Sequence, residues 1–515
     1  MRGRVATLIA FLLLTVPAMV AAAPGSDVRV TAARVQADGA ALVVFLSVRC
    51  PAGPETFLSV EVGAPVGGGP VDCRGRARPV RILMTSNDEL SSPFPTGATT
   101  VTATLSACEP TGCRELGRVT QTVEARAGTV NRPAHHGRFA LALPRTLGFQ
   151  AGGAALSARL GYRCTAARPN VHLLVAQRDA TGVIAHTDLT RGVPLGPEFR
   201  CDGRNRVLRV GFPPPLRPWT TGVAFLRAAA ELCTDVCRVV DLLYRTLRVS
   251  PGARVSGGPP GRAGHRLELV PRSGVQARGA ALVVRFRVTC RAADPPPVIA
   301  AHVSGLVADG TVHTAAAHGP VPRCDGRPHE MRLPVAAPVE QIDAPPPRWT
   351  GAVAFVTAGL RANCSGANCA PVPLVDALGD TALPAVTLDR ATPRVRGLSL
   401  RLGPTGPVSA DRVVLGLRYR CSPAGRGAPA LAVTLADDVS PAPVTVVHRA
   451  PDFAAPLTCD RTDRTRWLVV VNGGGAFRPG PAFLVVTAVT FGRPEGPPEG
   501  LPVLQAFRTV TLTPA

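Results

Sequence analysis

The sequence predicts an all-β protein: four tandem immunoglobulin-like antiparallel β-sandwich domains, pinned by disulfides. Three observations predict it. An alternating apolar segment ending on cysteine occurs at Ala41–Cys50, Ala155–Cys164, Ala281–Cys290 and, more loosely, Val413–Cys421. Each copy is followed by a second cysteine and by further short apolar segments set between Gly, Pro and Asp turns. No segment carries a convincing amphipathic helical period.

Within the opening strand, Leu42, Val44, Leu46, Val48 and Cys50 share one face. Leu282, Val284, Phe286, Val288 and Cys290 repeat that pattern. The opposite face is small or basic, with Arg49, Arg159 and Arg163, Arg285 and Arg287, Arg418 and Arg420. A period of two places one side in a core and the other in water.

Before the first copy stands Met-Arg-Gly-Arg, then the apolar run Val5–Val20 and Ala21-Ala22-Ala23-Pro24. A basic start, an apolar core and small residues at the end predict a secretory signal peptide over residues 1–22. No later segment reaches the ~18 uninterrupted apolar residues of a membrane-spanning helix. The expected location is therefore secreted and extracellular. Fourteen cysteines, an even number, then read as disulfides rather than metal ligands.

The charge balance is 57 − 35 = +22, and every basic residue is arginine. A GC-rich genome explains the arginine bias; net charge alone speaks to non-specific attraction. Aromatic residues make up 4%, which poorly supplies extended base-stacking or sugar-stacking platforms, and specific nucleic-acid binding is not expected.

The repeats are read as residues 23–130, 131–254, 255–392 and 393–515. A shared lead-in precedes each cysteine strand: Val35-Gln-Ala-Asp-Gly39, Phe149-Gln-Ala-Gly-Gly153, Val275-Gln-Ala-Arg-Gly279 and the altered Val408-Ser-Ala-Asp411. The glycine of the first three marks a tight turn. The second cysteines are Cys73, Cys201, Cys324 and Cys459, the last three opening Asp turns at Cys201-Asp-Gly-Arg204, Cys324-Asp-Gly-Arg327 and Cys459-Asp460. Phe94-Pro-Thr-Gly97, Trp219-Thr-Thr-Gly222, Trp349-Thr-Gly351 and Phe477-Arg-Pro-Gly480 lead into later strands, and Cys108/Cys113, Cys233/Cys237 and Cys364/Cys369 close hairpins in the first three copies. Each copy should hold six or seven short strands.

The fourth copy lacks both hairpin cysteines yet keeps the first two. Losing a pair together strands no thiol only if its members bond each other. The expected bonds are therefore Cys50–Cys73, Cys108–Cys113, Cys164–Cys201, Cys233–Cys237, Cys290–Cys324, Cys364–Cys369 and Cys421–Cys459.

The motifs Tyr162-Arg-Cys164, Cys201-Asp-Gly203, Trp219–Gly222 and Cys233–Cys237 resemble a repeat of exported proteins from high-GC Gram-positive bacteria. That family has no established activity, so the resemblance implies a fold and a location. The hairpins Cys108–Cys113 and Cys364–Cys369 are locally similar to one in the neocarzinostatin-type chromophore carriers, which lack the opening cysteine strand.

No nucleophile elbow, zincin or phosphate-loop motif occurs. His302, His313 and His318 flank a turn at Asp309-Gly310, and His186 and His448 lie in the same region of other copies. A zinc site needs three or four converging ligands, and no carboxylate or cysteine is left to complete one. The Asp-Gly-Arg tripeptides read as turns, Pro213-Pro-Pro215 and Pro345-Pro-Pro347 as stiff connections, and Trp219 and Trp349 as packing plugs. No catalytic residue, cofactor or metal site is expected. The sharpest candidates are Arg285, Arg287, Arg418 and Arg420, whose planar forks suit phosphate or carboxylate groups.

The expected function is non-enzymatic: extracellular binding, adhesion or structure, towards anionic cell-wall or glycan polymers or another extracellular protein. The alternative is a small-molecule carrier with a pocket between the sheets of one copy.

Overall fold

The four alternating segments form strands whose inward residues are buried. In the first, Leu42, Val44, Leu46, Val48 and Cys50 are at most 2% exposed. A computed structural model describes residues 26–513 apart from 53–54, 86–89, 110–111, 131–138, 166–169, 180, 190–200, 216, 234–236, 252–264, 292–296, 308, 322, 337–347, 363–371, 387, 391–393, 396–397, 410–411, 423–428, 440–443, 450–456, 472–476, 478 and 491–500. The signal segment and Cys364–Cys369 thus lie outside the described residues. Among them the architecture is all-β, with no α-helix and only single 3-10 turns such as Ala37–Gly39. None of the described helices is long and apolar enough to cross a membrane.

The chain divides into two units. The first comprises residues 1–35, 42–87 and 95–127, and carries one seven-stranded sheet. Its order is Val66–Val71, Glu55–Glu61, Gly97–Glu109, Gly112–Ala127, Asp27–Gln36, Ala41–Arg49 and Arg78–Met84. The long hairpin Gly97–Glu109/Gly112–Ala127 is closed by Cys108–Cys113 at its tip. Its outer face is a polar ladder, Thr100 bonded to Thr122 at 3.2 Å and Thr102 to Thr120 at 3.1 Å.

The second unit holds the Gln36–Ala41 turn, residues 88–94 and everything from Gly128 onward. Its third and fourth sequence repeats each form two four-stranded sheets. In the third, one layer holds Arg266–Leu269, Gly274–Gln276, Ala281–Thr289 and Pro328–Ala336; the other holds Val312–Pro320, Val298–Val307, Trp349–Ala362 and Val372–Ala382. The fourth repeats the arrangement with Arg394–Val395, Leu398–Val408, Arg412–Cys421 and Arg464–Val471 against Val444–Arg449, Ala430–Val439, Gly480–Thr490 and Leu501–Leu512. Among the described residues these copies carry eight strands rather than six or seven; in the third, the segment before the cysteine strand supplies two short ones, Arg266–Leu269 and Gly274–Gln276, both paired with Ala281–Thr289. Pro271, which has no N–H to donate, separates the two lead-in strands of the third copy.

Residues of both layers meet in one core per copy. Val284, Phe286, Val303, Val356 and Leu360 belong to a single cluster in the third, as do Leu415, Leu417, Val433, Leu484 and Val486 in the fourth. The second copy is built on a nine-stranded sheet, with its own core around Leu160, Val175, Phe212 and Leu226.

Among the described residues five disulfides are present: Cys50–Cys73, Cys108–Cys113, Cys164–Cys201, Cys290–Cys324 and Cys421–Cys459. Cys233 and Cys237 stand opposite each other in register, their side chains lying outside the described set. Beside each opening cysteine the Asp turn is tied back by its backbone. Gly75, Gly203, Gly326 and Arg461 donate to the carbonyls of Cys50, Cys164, Cys290 and Cys421 at 2.7–2.8 Å.

Candidate anion-binding faces and the inter-repeat latch

The four candidate arginines occupy the outer face of the cysteine-strand sheets in the third and fourth copies, and the structure separates them by what they touch. Arg285 grips Glu330 with both arms of its guanidinium, Nε to Oε1 at 3.2 Å and Nη2 to Oε2 at 2.8 Å. Arg332, directly opposite Arg285 in register, reaches the same Glu330 Oε1 at 3.2 Å. The Glu330 carboxyl is held below its usual value by the Arg285 hydrogen bond first, against partial desolvation. Arg287 lies 3.7 Å from Glu268, which Arg266 also contacts at 2.6 Å. Both candidate arginines of the third copy are therefore paired with carboxylates of their own copy, Arg285 with Glu330 and Arg287 with Glu268.

In the fourth copy, Arg420 Nε donates to the Arg461 carbonyl at 2.8 Å, bracing the Asp460 turn. Arg418 differs. Its cross-strand neighbour is Arg401, both are exposed, and neither has a carboxylate partner among the described residues.

The other sequence candidates resolve into structure. His302 pairs with Ala316 and His318 with Ala300, which puts both on one face; His313, paired with Gly305, falls on the opposite face. The three do not converge, and no cluster of three possible metal ligands occurs among the described residues. His448 has its side chain outside that set. The Asp-Gly-Arg segments are turns: Asp202 Oδ1 accepts Arg204 N–H at 3.2 Å and Asp325 Oδ1 accepts Arg327 N–H at 3.0 Å. Trp219 is 3% exposed with its indole N–H on the Phe212 carbonyl at 2.9 Å, and Trp349 is also buried.

The lead-in does more than turn the chain. In three copies it forms a one-turn 3-10 element with three consecutive residues in left-handed conformation. They are Ala37, Asp38 and Gly39 (φ 44°, 56°, 97°), Ala151, Gly152 and Gly153 (45°, 67°, 99°), and Ala277, Arg278 and Gly279 (45°, 55°, 100°). Left-handed backbone costs about 1–2 kcal/mol at each non-glycine residue. The third position must be glycine. A β-carbon on Gly153 would lie 2.5 Å from the Trp219 carbonyl oxygen, and one on Gly279 2.7 Å from that of Trp349.

What offsets this strain is burial against the next copy. Ala151, Ala154 and Ala155 of the second copy cluster with Val312 and Phe355 of the third. Ala277, Ala280, Ala281 and Val283 of the third cluster with Ala436, Phe483, Val485 and Phe507 of the fourth, with Leu388 between. Burying one phenylalanine contributes about 1.5–3 kcal/mol, so a phenylalanine and several alanines outweigh the left-handed turn. Inside the second unit, the Ala37–Gly39 turn likewise touches Asn170–Arg178 and Gly222–Cys233, the strand of Phe225.

The glutamine of the lead-in is the polar half of the latch. Gln36 and Gln276 are at most 2% exposed. Gln276 Nε2 donates to the Val386 carbonyl at 2.7 Å, and its Oε1 accepts Leu388 N–H at 3.2 Å and the Thr509 hydroxyl at 3.4 Å. Gln36 Oε1 accepts Val130 N–H at 3.0 Å and the Thr246 hydroxyl at 3.2 Å.

Sequence reasoning missed this element. Its signal was Ala-Phe-Leu/Val at Ala224-Phe225-Leu226, Ala354-Phe355-Val356 and Ala482-Phe483-Leu484, where consecutive apolar residues mark a strand covered on both faces. The first copy has Thr99-Thr100-Val101 there.

An open cleft of 680 Å³ on the third copy is lined by Arg272, Ser273, Arg285, Pro384 and Val386 among others. Its wall runs from Leu383 of the core to Val386, which is 45% exposed.

No family model and no curated protein matches the chain. Among solved structures, similarity is found to a Ca2+-stabilized adhesin that helps an Antarctic bacterium bind ice, at 12% identity over 95% of this chain and 100% of that one, with a TM-score of 0.12. A 1.5-MDa bacterial ice-binding adhesin matches at 9% identity over 70% and 98%, TM-score 0.13. Native E. coli alpha-2-macroglobulin matches at 10% over 95% and 40%, TM-score 0.14. Scores this low fall short of a shared fold.

Proposed function

We propose that the protein is an exported, non-enzymatic string of four immunoglobulin-like sandwiches that adheres to anionic polymers at a cell surface. The observation that carries this reading is the pairing state of its arginines. The third copy spends Arg285 and Arg287 on Glu330 and Glu268, whereas Arg401 and Arg418 of the fourth face solvent without a carboxylate among the described residues, in a chain of net charge +22. The disulfides and the 1–22 segment support an oxidising, extracellular setting. The latch supports a role in which several copies act as one serially joined body, as a structural or adhesive protein requires.

The test is co-sedimentation of the full-length protein with purified cell wall, glycan and DNA at rising salt. Retention on a wall or glycan polymer at about 0.15 M salt, reduced by Arg401→Gln with Arg418→Gln, is the expected result. Binding that vanishes at that salt for every polymer alike would reduce the effect to bulk charge. The carrier alternative would use the cleft at Ser273 and Val386; an apolar dye held there with the polymers ignored would favour it.

A further inference from the structure

We propose that the outer face formed by Leu398–Val408, Arg412–Cys421 and Arg464–Val471 is a platform for a carboxylated polysaccharide. Trp467 stacks on a sugar ring there, while Arg401 and Arg418 take its carboxylates. The proposal rests on the anionic-polymer reading above and names the ligand class and the site.

Trp467 is 60% exposed, while Trp219 and Trp349 are each 3% exposed. Beside it on the same face, Val469 is 45% exposed. An indole left in water next to a bare valine, in a protein with only three tryptophans, is apolar area whose outer side no described residue covers.

The strand beneath is shaped for the ring. Trp467 stands opposite Gly416 in register. A β-carbon on Gly416 would come within 3.2 Å of Trp467 Cζ3 and 3.5 Å of Cη2, so the benzo half of the indole lies across that glycine. The next strand has Gly403, where a β-carbon would meet the Gly416 carbonyl at 2.8 Å. Glycine inside a strand costs roughly 0.5–1 kcal/mol relative to alanine, and two side by side leave a flat floor. One face of the indole rests on this floor and the other is presented outward.

The arginines flank it. Two pairs along from Gly416/Trp467, and so on the same face, is Arg418/Thr465, and across from Arg418 is Arg401. Like charges directly opposed on a sheet are destabilising. In the same register of the third copy Arg287 stands opposite a carboxylate, Glu268, at 3.7 Å, and Arg401/Arg418 has no such relief among the described residues. An external carboxylate would supply it, in the bidentate geometry that a planar guanidinium favours. A lone aromatic beside a charge pair fits one acidic sugar at a time; a nucleic-acid strand calls for successive stacking surfaces along a basic groove.

The experiment titrates the full-length protein with polygalacturonate, its fully methyl-esterified form, and single-stranded DNA at about 0.15 M salt, reading indole fluorescence and Kd. Trp467→Ala and the double replacement Arg401→Gln/Arg418→Gln are compared with Arg285→Gln as control, each checked for native disulfides by intact mass. Polygalacturonate is expected to bind and perturb the fluorescence. Both test variants should weaken it at least about ten-fold. Arg285→Gln should leave it unchanged, and the ester should not bind. Wild-type affinity in Trp467→Ala, equal binding of the ester, or equal losses towards DNA would overturn the platform while leaving the adhesion reading standing. No binding to any polyanion by the wild type would overturn both.

Discussion

Gln276 accepts a hydrogen bond from the Thr509 hydroxyl at 3.4 Å, although the two residues are 233 positions apart and belong to different sequence repeats. The same Oε1 takes the Leu388 N–H of the connecting segment at 3.2 Å. One side chain with essentially no contact with solvent therefore ties together a lead-in, a linker and the last strand of the following copy.

Replacing Gln276 with leucine removes the bond to the Val386 carbonyl and leaves buried groups such as the Leu388 N–H without a partner. Such groups cost about 1–3 kcal/mol. Amide exchange at Leu388 should accelerate markedly, while Val284 and Phe286 in the core of the third copy keep their protection. Unchanged exchange at Leu388 would remove the latch role.

Gly211 tests the joint from the other side. A β-carbon there would lie 2.3 Å from Phe355 Cε1 and 2.7 Å from Cζ, across the boundary between the second and third copies. Gly211→Ala should cost roughly 1–3 kcal/mol, as overpacking does. The loss should appear in denaturant unfolding as a separation of transitions that the wild type shows together.

Cys290–Cys324 closes a separation of 34 residues. Changing both cysteines to serine should cost about 2–5 kcal/mol. The third copy should melt first under non-reducing conditions, followed by calorimetry. The Cys108–Cys113 pair, separated by 5 residues, closes too short a loop to give as much and should matter less.

Acid should loosen the Asp turns in a defined window. Asp202 is lowered from 3.8 to about 2, chiefly by its hydrogen bond from Arg206. A carboxylate with a depressed folded-state pKa contributes stability above the unfolded value of 3.8, and that contribution fades as pH falls towards about 2. Melting temperature measured from pH 5 down to 2 should fall less steeply in Asp202→Asn than in the wild type. Equal slopes would show that the turn carboxylate does not report on folding.

The strands were legible because alternation leaves no choice. Leu282, Val284, Phe286 and Val288 on one side and Arg285 and Arg287 on the other read as a half-buried strand, and they are one. Asp202 and Asp325 were legible as turn residues for the same local reason. The arginine candidates were only half legible: a sequence shows which face Arg285 occupies, but not that Glu330, 45 residues away, neutralises it. The lead-in was least legible. Gln276-Ala-Arg-Gly279 carries the composition of a turn, and a turn it is; what it covers is written in Phe483, on another strand of another copy. Trp467 was hidden in the same way. Its outward side follows from the inward Leu468 and Val470, but the glycine it lies across, Gly416, looks featureless in the chain.

The direction of the latch sets an order of assembly at the ribosome. The Gln276 turn is synthesised 233 residues ahead of Thr509, so the third copy leaves an apolar patch of alanines uncovered until the fourth has folded. Growth of the chain therefore works like closing a zip from the amino end, one tooth waiting for the next. A stall between copies would strand a greasy shoulder that only a chaperone or a neighbouring nascent chain could shelter.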